Sequence, residues 1–503
     1  MRGIYTSVTK IRRKIFTEVA RLAYEGGNYA EKIEKLPYKI IPGEIATYRE
    51  SIFLERAIVG ERLRLSIGLP LSPVDDNVNL SDGIEESAIA EKYYDPPLVN
   101  IISFACNSCP ENVFKTTDLC QACLAHPCSV VCPVDAVSIV ESGKSVIDQE
   151  KCIKCGRCRA VCPYDAIQKL ERPCAKACGV NAIYSDEHGR AKINYDLCVS
   201  CGMCIVNCPF GAISDKGQIF QLIHAINSGC KVIAAIAPSF LGQFGPSASH
   251  DKIKQAMRQL GISDVVEVAI GADLCAIEEA HDFLEKVPSS QPFMATSCCP
   301  AWSVMAKKNF PEFEPYISMT LTPMVLTARL IKKEHKDCKV VFIGPCAAKK
   351  LEASRRAVRS DVDFVLTFEE VMGMFKARDV DFDKISTIEP LDEATSTGRG
   401  FAVSGGVVKG VIDCIKKIDP DREILTDSAE GLDACKKMLL LAKANKRNGY
   451  ILEGMACPGG CVAGTGTLQP VAKSASAVNK YKLQASEKDA FNSKYKDEIK
   501  HLS

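Results

Sequence analysis

The spacing of apolar residues predicts helices in the first hundred residues. Apolar side chains recur at helical intervals in residues 11–24 and 48–65, and charged residues occupy the opposite faces. Residues 70–76, rich in Pro and Asp, predict a loop. We therefore expect residues 1–100 to form a helical N-terminal extension that acts as a cap or a docking surface.

A different pattern begins at residue 216, where short apolar runs alternate with amphipathic ones. Residues 231–237, 265–270 and 339–343 have the pattern of strands, and residues 253–260 that of a helix. This alternation predicts an α/β domain over residues 216–503, with parallel sheets flanked by helices and with its chemistry at the strand ends. The polar, Lys-rich residues 471–503 predict a peripheral tail.

Between these regions, residues 101–215 repeat one small theme. A group of cysteines is followed by Cys-Pro, or once by Cys-Gly, and then by a short apolar tail. Repetition of this kind predicts stacked copies of one unit, here an α+β ferredoxin-like domain. Units this small cannot hold a core alone, so we expect bound clusters to supply much of their stability.

Composition and charge exclude several classes of protein. The 503 residues carry a formal net charge of +1, so there is no bulk field to attract nucleic acid. No apolar run reaches the roughly 18 residues needed to span a bilayer. The N-terminus lacks the apolar core of a signal peptide, and its basic cluster favours an amphipathic surface helix over a transit peptide. We expect no membrane insertion and a cytoplasmic location.

Cysteine is the unusual residue, with 26 in the chain and sixteen of them between Cys106 and Cys208. The C-x-x-C spacings favour thiolate ligands in a reducing compartment over disulfides. Two runs follow the C-x2-C-x2-C-x3-C-P spacing of 4Fe–4S ferredoxins, and a third has two extra residues in its middle.

In two-cluster ferredoxins the fourth cysteine of one run binds the other cluster. This rule divides the sixteen cysteines into four predicted sets. They are Cys120, Cys123, Cys128 and Cys162 (set one); Cys132, Cys152, Cys155 and Cys158 (set two); Cys178, Cys198, Cys201 and Cys204 (set three); and Cys106, Cys109, Cys174 and Cys208 (set four). We expect two 4Fe–4S clusters from the regular motifs and up to four in all. A structural zinc on Cys106, Cys109 and their neighbours is the alternative for set four.

Three later segments carry the most specific signal: TSCCPAW at residues 296–302, PCAAK at 345–349 and EGMACPGGC at 453–461. In this order, behind an iron–sulfur domain, they resemble the signatures of the iron-only (FeFe) hydrogenases, and residues 216–503 look like a divergent subgroup. The resemblance implies that Cys299, Cys346, Cys457 and Cys461 bind a 4Fe–4S cluster. It also implies that Cys461 bridges to a two-iron unit with CO, cyanide and azadithiolate ligands, which completes the H-cluster.

The resemblance further implies roles for residues around the two-iron unit. Cys298 would exchange protons with the bridge amine, which suits a thiol with a pKa near ~8.5. Lys349 would donate a charge-assisted hydrogen bond to one cyanide, and Ser239 would bind the other. Further contacts would come from Pro238, Pro323, Gly405, Gly406 and Met455.

A proton route to Cys298 is implied by residues 271–282. Glu279 and Asp282 would be its acidic relay residues, with Ser318 between them. Their i, i+3 spacing places both carboxylates on one helix face. An exposed acidic helix face is the alternative.

The implied activity is the reversible reduction of protons to H₂. Electrons would pass through the 4Fe–4S clusters to a ferredoxin-type carrier, and maturation proteins would build the two-iron unit. A low-turnover hydrogen sensor and a non-catalytic iron–sulfur assembly protein are the alternatives. The chain departs from the family pattern at Gly344, where Met is usual, at Met324 and at Pro458, positions whose contacts tune the metal site.

Overall fold

The structure is a computed structural model that describes residues 3–355, 358 and 360–502. The N-terminal helices are α1 (Ser7–Glu25), α2 (Tyr29–Ile40), α3 (Ile52–Ser66) and α4 (Ile84–Ser87). The cysteine-rich region contains β1 (Val99–Ile101), β2 (Val113–Thr116), α5 (Pro127–Val130), β3 (Val137–Ile139), β4 (Ser145–Ile147), α6 (Arg157–Ala160), β5 (Ile167–Leu170), α7 (Pro173–Lys176), β6 (Ile183–Ser185), β7 (Ala191–Ile193), α8 (Met203–Asn207) and β8 (Ile213–Asp215).

The C-terminal region is larger. Its elements are α9 (Ile219–Asn227), β9 (Val232–Ile236), α10 (Ile253–Gln259), β10 (Asp264–Glu267), α11 (Ala269–Lys286), β11 (Phe293–Ala295), α12 (Pro300–Asn309), α13 (Pro323–Glu334), β12 (Lys339–Gly344), α14 (Ala348–Ser354), β13 (Phe364–Thr367), α15 (Phe368–Ala377), α16 (Ser396–Gly400), α17 (Gly406–Ile418), β14 (Leu425–Glu430), α18 (Leu432–Lys443), β15 (Tyr450–Met455), α19 (Val471–Leu483) and α20 (Ile499–Leu502).

The N-terminal helices pack against the C-terminal region. Helix α1 begins at an N-cap threonine, Thr6, whose hydroxyl accepts a hydrogen bond from the Thr9 amide at 3.3 Å. Its apolar face packs against α9 and α15, with Val19 buried, and Arg12 pairs with Glu369 of α15 at 2.5 Å. The expected helical extension is therefore present, and it shares a core with the four-stranded sheet.

The cysteine-rich region consists of short antiparallel strand pairs joined by cysteine loops. The pairs are β1 with β8, β2 with β5, β3 with β4, and β6 with β7. The short helices α5 to α8 each begin within a cysteine group and carry one of its members. This α+β arrangement confirms the predicted fold of residues 101–215.

Two parallel sheets form the C-terminal region, as predicted. One has the strand order β10-β9-β12-β13 and the other the order β11-β15-β14. The expected strands at 231–237 and 339–343 are β9 and β12, and the helix at 253–260 is α10. The strand expected at 265–270 ends at Glu267, and α11 begins at Ala269. The apolar run continues into a helix that is buried over most of its surface, which periodicity alone cannot distinguish from a strand.

The expectation of a peripheral tail from residue 471 is wrong for helix α19. Ser474, Val478 and Tyr481 are buried, and the Tyr481 hydroxyl donates to the Glu267 carboxylate at 2.8 Å. Glu267 in turn accepts two hydrogen bonds from Arg399. The lysines of α19 occupy its outer face, so the polar composition concealed a narrow buried stripe. Within the described residues, no helix is both long and apolar enough to cross a membrane.

Candidate active site

A cavity lies where the strands of both parallel sheets end. The strands β9 and β12 lead to Pro238 and Cys346 at its wall, and β15 leads to Met455 and Cys457. Cys298 and Cys299 enter it from the turn between β11 and α12. The carboxyl ends of parallel strands are the usual place for a site in such sheets, which is why distant segments converge here.

All four cysteines predicted to hold the catalytic cluster line this cavity: Cys299, Cys346, Cys457 and Cys461. Removal from bulk water raises the pKa of Cys346 to about 11 and that of Cys461 to about 12, although the Cys461 side chain is exposed where it lines the cavity. As bare thiols these groups would keep their protons at neutral pH, so a bound cation is what would favour their thiolate forms. Four sulfurs around one cavity are the donor set of an iron–sulfur cluster.

The turn that carries Cys298 and Cys299 is held from behind by Trp302. The indole N–H of Trp302 donates to the Thr296 carbonyl at 3.0 Å. A side chain at Gly454 would meet the Trp302 ring at 2.2 Å, so the close packing requires glycine. With the turn fixed in this way, both adjacent cysteines line the cavity. Burial raises the pKa of Cys298 well above its usual range.

Polar groups lie among the mostly apolar walls. Lys349, at the start of α14, pairs with Glu352 at 2.7 Å and reaches the Cys298 carbonyl at 3.4 Å. Burial disfavours its charge, but Glu352 outweighs that effect, and the pKa of Lys349 is raised. The Ser239 hydroxyl is buried in the wall and has no hydrogen-bond partner within the described structure. It is an open donor for a polar group in the cavity.

Pro238, Pro323 and Met455 also line the cavity, as the resemblance implied. Gly405 and Gly406 are not among its lining residues. They form the N-terminal turn of α17, and a side chain at Gly406 would meet the Gly400 carbonyl oxygen at 2.1 Å. Close backbone packing therefore requires glycine at 406, but the neighbour is another part of the chain.

The acidic residues of α11 lie behind Cys298. Glu279 is completely buried, and its carboxylate accepts from the amide of Ser297 at 3.3 Å. Burial raises its pKa to about 8, while the Ser297 amide and the nearby Ser318 hydroxyl oppose this rise. Asp282 is partly exposed one turn later and pairs with Lys286 at 2.9 Å. The alternative of an exposed acidic face therefore does not describe Glu279.

Sequence reasoning missed two residues near the site. Glu453 is buried and accepts hydrogen bonds from the amides of Gly405 at 2.7 Å and Val408 at 2.8 Å, so it caps α17, whose N-cap glycine has no side chain. A carboxylate within the otherwise apolar strand β15 was the available signal. Phe342 lines the cavity, and its ring lies 2.5 Å from where a Gly344 side chain would begin. No pattern in one sequence indicates that contact.

The structure gathers two of the predicted accessory sets around small cavities. Cys106, Cys109, Cys174 and Cys208 line one, and Cys132, Cys152, Cys155 and Cys158 line another. Among the described residues, no three potential ligands lie close enough to hold a single metal ion.

In set three, burial raises the pKa of Cys204 well above its usual range, and the thiols of Cys201, Cys198, Cys178 and, from set four, Cys174 add to this rise. Sets two and three also share a pattern of amides that donate to sulfur. The sulfur atoms of Cys132 and Cys178 each accept at 3.2 Å from the amide four residues later, and those of Cys152 and Cys198 accept at 3.4 Å from the amide two residues later.

For set one, two backbone amides, of Ser145 and Ala122, lower the pKa of Cys120. Such contacts stabilise a thiolate. The grouping of Cys120, Cys123, Cys128 and Cys162 around one cluster stays a prediction.

The cysteine-rich region meets the main cavity at Cys201, which lines the wall together with Cys299. Lys308 of α12 holds this contact in place, because its ammonium donates to the carbonyls of Asp196 at 2.6 Å and Cys198 at 3.2 Å. Set three is therefore the accessory set that adjoins the cavity.

Comparison with known proteins gives two kinds of relative. Residues 230–465 match the family model "Iron only hydrogenase large subunit, C-terminal domain", residues 120–171 an "LdpA Fe-S cluster-binding domain" and residues 191–214 a "4Fe-4S binding domain". Iron hydrogenase 1 of Clostridium pasteurianum is 28% identical over 324 residues, which are 54% of this chain and 56% of that protein.

Proteins named for cluster assembly match at similar levels. A probable cytosolic Fe-S cluster assembly factor of Aedes aegypti is 28% identical over 278 residues, which are 45% of this chain and 58% of that protein. The chain thus spans little more than half the length of either relative. A solved apo FeFe-hydrogenase from Chlamydomonas reinhardtii superposes with a TM-score of 0.45 and 20% identity, covering 54% of this chain and 89% of the other.

Residues 120–171 and 191–214 are thus similar to iron–sulfur binding domains, and residues 230–465 are similar to the C-terminal domain of iron-only hydrogenases. The chain is similar both to hydrogenases and to iron–sulfur cluster assembly factors.

Proposed function

We propose that this protein is an FeFe hydrogenase that catalyses the reversible reduction of protons to H₂. Electrons pass along the 4Fe–4S clusters to or from a ferredoxin-type carrier. The observation that carries the proposal is the cavity itself, because it combines four cysteines with three polar groups that a simple cluster site does not need. These are the Cys298 thiol, the Lys349 ammonium and the unpartnered Ser239 hydroxyl.

The residues present fit an H-cluster. Cys299, Cys346, Cys457 and Cys461 would hold the 4Fe–4S part, and Cys461 would also hold the two-iron part. The Ser239 hydroxyl is an orphaned donor in the wall, and Lys349 is a buried cation, so both suit cyanide nitrogens. The two-iron group, when bound, supplies the metal chemistry that interconverts protons and H₂. Maturation proteins would be needed to deliver it.

The protein's part in proton transfer follows from Cys298 and Glu279. Cys298 lines the cavity and holds a proton at neutral pH, because burial raises its pKa. Glu279, beside the preceding residue Ser297, has a pKa of about 8 and can gain and lose a proton near neutrality. Ser318 and the partly exposed Asp282 would continue the route to solvent.

Electron transfer would use the accessory cysteine sets. Set three adjoins the cavity at Cys201, beside the catalytic cysteine Cys299. A cluster on set three would therefore exchange electrons directly with the catalytic site. The other sets would connect set three to an external carrier.

Cluster assembly is the second candidate function, favoured by the relatives that carry that name at 26–28% identity. An assembly factor would use the four catalytic cysteines for a 4Fe–4S cluster alone. It would have no need of Cys298, Lys349 or the buried Glu279 carboxylate, which are all present in this chain.

Infrared spectroscopy tests the proposal. Protein co-produced with hydrogenase maturation proteins should show CO and cyanide stretching bands that shift under H₂, and protein made without them should show none. If both preparations contain full 4Fe–4S clusters and neither has bands, the hydrogenase proposal fails. Transfer of a cluster from the protein to an apo-acceptor would then support assembly.

A further inference from the structure

The outermost accessory cysteine lies in set two. Among the sixteen cysteines of residues 101–215, all of which the structure describes, only Cys155 is exposed. It lines one small cavity with Cys132, Cys152 and Cys158, and these three are buried or half-buried. A cluster in this cavity would therefore come nearest to solvent at Cys155.

The chain segment that carries Cys155 is basic. Residues 151–160 include four cations and no anion, although the whole chain is almost neutral, with 63 basic and 62 acidic residues. The four cations are Lys151, Lys154, Arg157 and Arg159, and all are exposed. Lys151 lies 3.9 Å from Asp148. Within the described structure no ion pair neutralises Lys154, Arg157 or Arg159, and the exposed carboxylates of Asp148 and Glu150 lie at one end of the segment.

Apolar side chains lie among these cations. Ile153 is 60% exposed, two residues before Cys155. Val130, 81% exposed, lies on α5, the helix that packs against α6 with its Arg157 and Arg159. An apolar centre with a charged rim is the usual anatomy of a protein–protein interface.

We propose that these residues form a docking face for an acidic electron-carrier protein. The Cys155 face consists of Cys155, Ile153, Val130 and the four cations. Opposite charges would steer the carrier to it, and transient redox complexes need only a small interface. Each encounter transfers one electron: the reduced carrier is oxidised and the set-two cluster is reduced, with no bond formed or broken. The inference rests on the proposed function, which requires a carrier.

The experiment measures reduction of the clusters in the full-length, cluster-loaded protein. A reduced acidic [2Fe–2S] ferredoxin is mixed with it in a stopped-flow instrument, and bleaching of the 4Fe–4S absorption is followed. For K151E/R157E we expect the second-order rate constant to fall about tenfold or more at low ionic strength. Added salt should slow the wild type much more than this variant.

A matched control carries the same charge change elsewhere. Lys192 on β7 and Lys436 on α18 are exposed and lie outside the Cys155 face, so K192E/K436E should react at close to the wild-type rate. Iron content and the electron paramagnetic resonance of dithionite-reduced protein show whether each variant keeps its clusters. If K151E/R157E loses its set-two cluster, K151Q/R157Q replaces it and should show a smaller decrease in rate.

Two results would overturn the proposal. One is an equal rate for K151E/R157E and K192E/K436E. The other is a wild-type dimer, detected by light scattering, that K151E/R157E dissociates, because the face would then cover a second copy of the chain. Reduction of the accessory clusters does not require the two-iron group, so a protein without infrared bands can still pass this test, and the two proposals fail separately.

Discussion

At the scale of single residues, the adjacent cysteines of one turn have different surroundings and different proposed tasks. Cys299 joins three other cysteines at the cavity wall, whereas Cys298 leads back to the buried carboxylate of Glu279 through Ser297. Trp302 fixes this turn from behind. The proposed division between metal binding and proton transfer therefore depends on the conformation of a single turn.

Replacing Cys298 by Ala should keep the CO and cyanide bands and the iron content but reduce H₂ turnover at least about 100-fold, because a positioned proton donor is lost. Cys338→Ala is the matched control, since Cys338 is a buried thiol just before β12 that does not line the cavity. Activity and infrared spectra of both variants check the expectation. Near-normal turnover by Cys298→Ala would remove its relay role.

Glu279 should make stability depend on pH. Burial raises its pKa to about 8 in the folded protein, whereas an unfolded Glu titrates near ~4.3. Its contribution to the free energy of unfolding is therefore fully present below about pH 4.3, and it is lost as the pH rises through about 8. Glu279→Gln should flatten this loss, which is at most on the order of 5 kcal/mol.

Anaerobic urea unfolding from pH 5 to 9 measures the effect of Glu279→Gln. Glu285→Gln, at an exposed position on the same helix, should leave the wild-type pH dependence in place. If Glu279→Gln and the wild type lose stability in parallel between pH 5 and 9, the Glu279 carboxyl does not titrate in this range.

At the scale of elements, strand β12 shows how one face of the cavity is filled. Phe342 and Gly344 lie two residues apart on the same side of the strand, and the Phe342 ring covers the space that a side chain at 344 would need. The Met that the resemblance to hydrogenases leads us to expect at position 344 is thus replaced in space by the Phe342 ring, from the preceding inward position.

A double-mutant cycle tests whether the Phe342 ring fills the space of a side chain at position 344. Gly344→Met should destabilise by about 1–3 kcal/mol through overpacking against Phe342, and Phe342→Ala by about 3–5 kcal/mol through an empty space. The double variant should be more stable, by about 1–3 kcal/mol, than the sum of the two single effects predicts, because Met can occupy the volume left by the Phe342 ring. Additive effects in urea unfolding would show that the two positions do not share this space.

At the scale of the whole molecule, a buried ion cluster joins the cysteine-rich region to the α/β region. Lys350, which is 1% exposed, binds Asp215 of β8 at 2.8 Å and Glu370 of α15 at 2.9 Å. Burial disfavours its charge, but the two carboxylates outweigh this and raise its pKa. The neighbouring Lys349 lines the cavity. Of these two consecutive lysines, Lys350 therefore has a structural role and Lys349 a proposed functional one.

Lys350→Met should destabilise the protein by about 3–5 kcal/mol, because it leaves two carboxylates buried without their cation. Lys384→Met is the control: Lys384 pairs with Asp381 at 3.3 Å but is 84% exposed, and its loss should cost less than about 1 kcal/mol. Urea unfolding under anaerobic conditions compares the two. Similar losses of stability in both variants would contradict the proposal that Lys350 joins the two regions.

The sequence by itself determined the α/β and ferredoxin-like fold classes and the segments that meet at the cavity. Periodicity is a local property, and motifs such as TSCCPAW carry their chemistry in contiguous residues. It also anticipated Glu279, but not that its carboxylate is completely buried.

Only the tertiary structure decided what depends on contacts between distant residues. It brought Cys201 beside Cys299 at the cavity wall, directed Glu453 to cap α17, and placed the Tyr481 stripe of α19 in the core. It also shows that Gly405 and Gly406 are not among the residues that line the cavity. Packing of this kind joins residues far apart in the chain and leaves no period or spacing in the sequence from which it could be predicted.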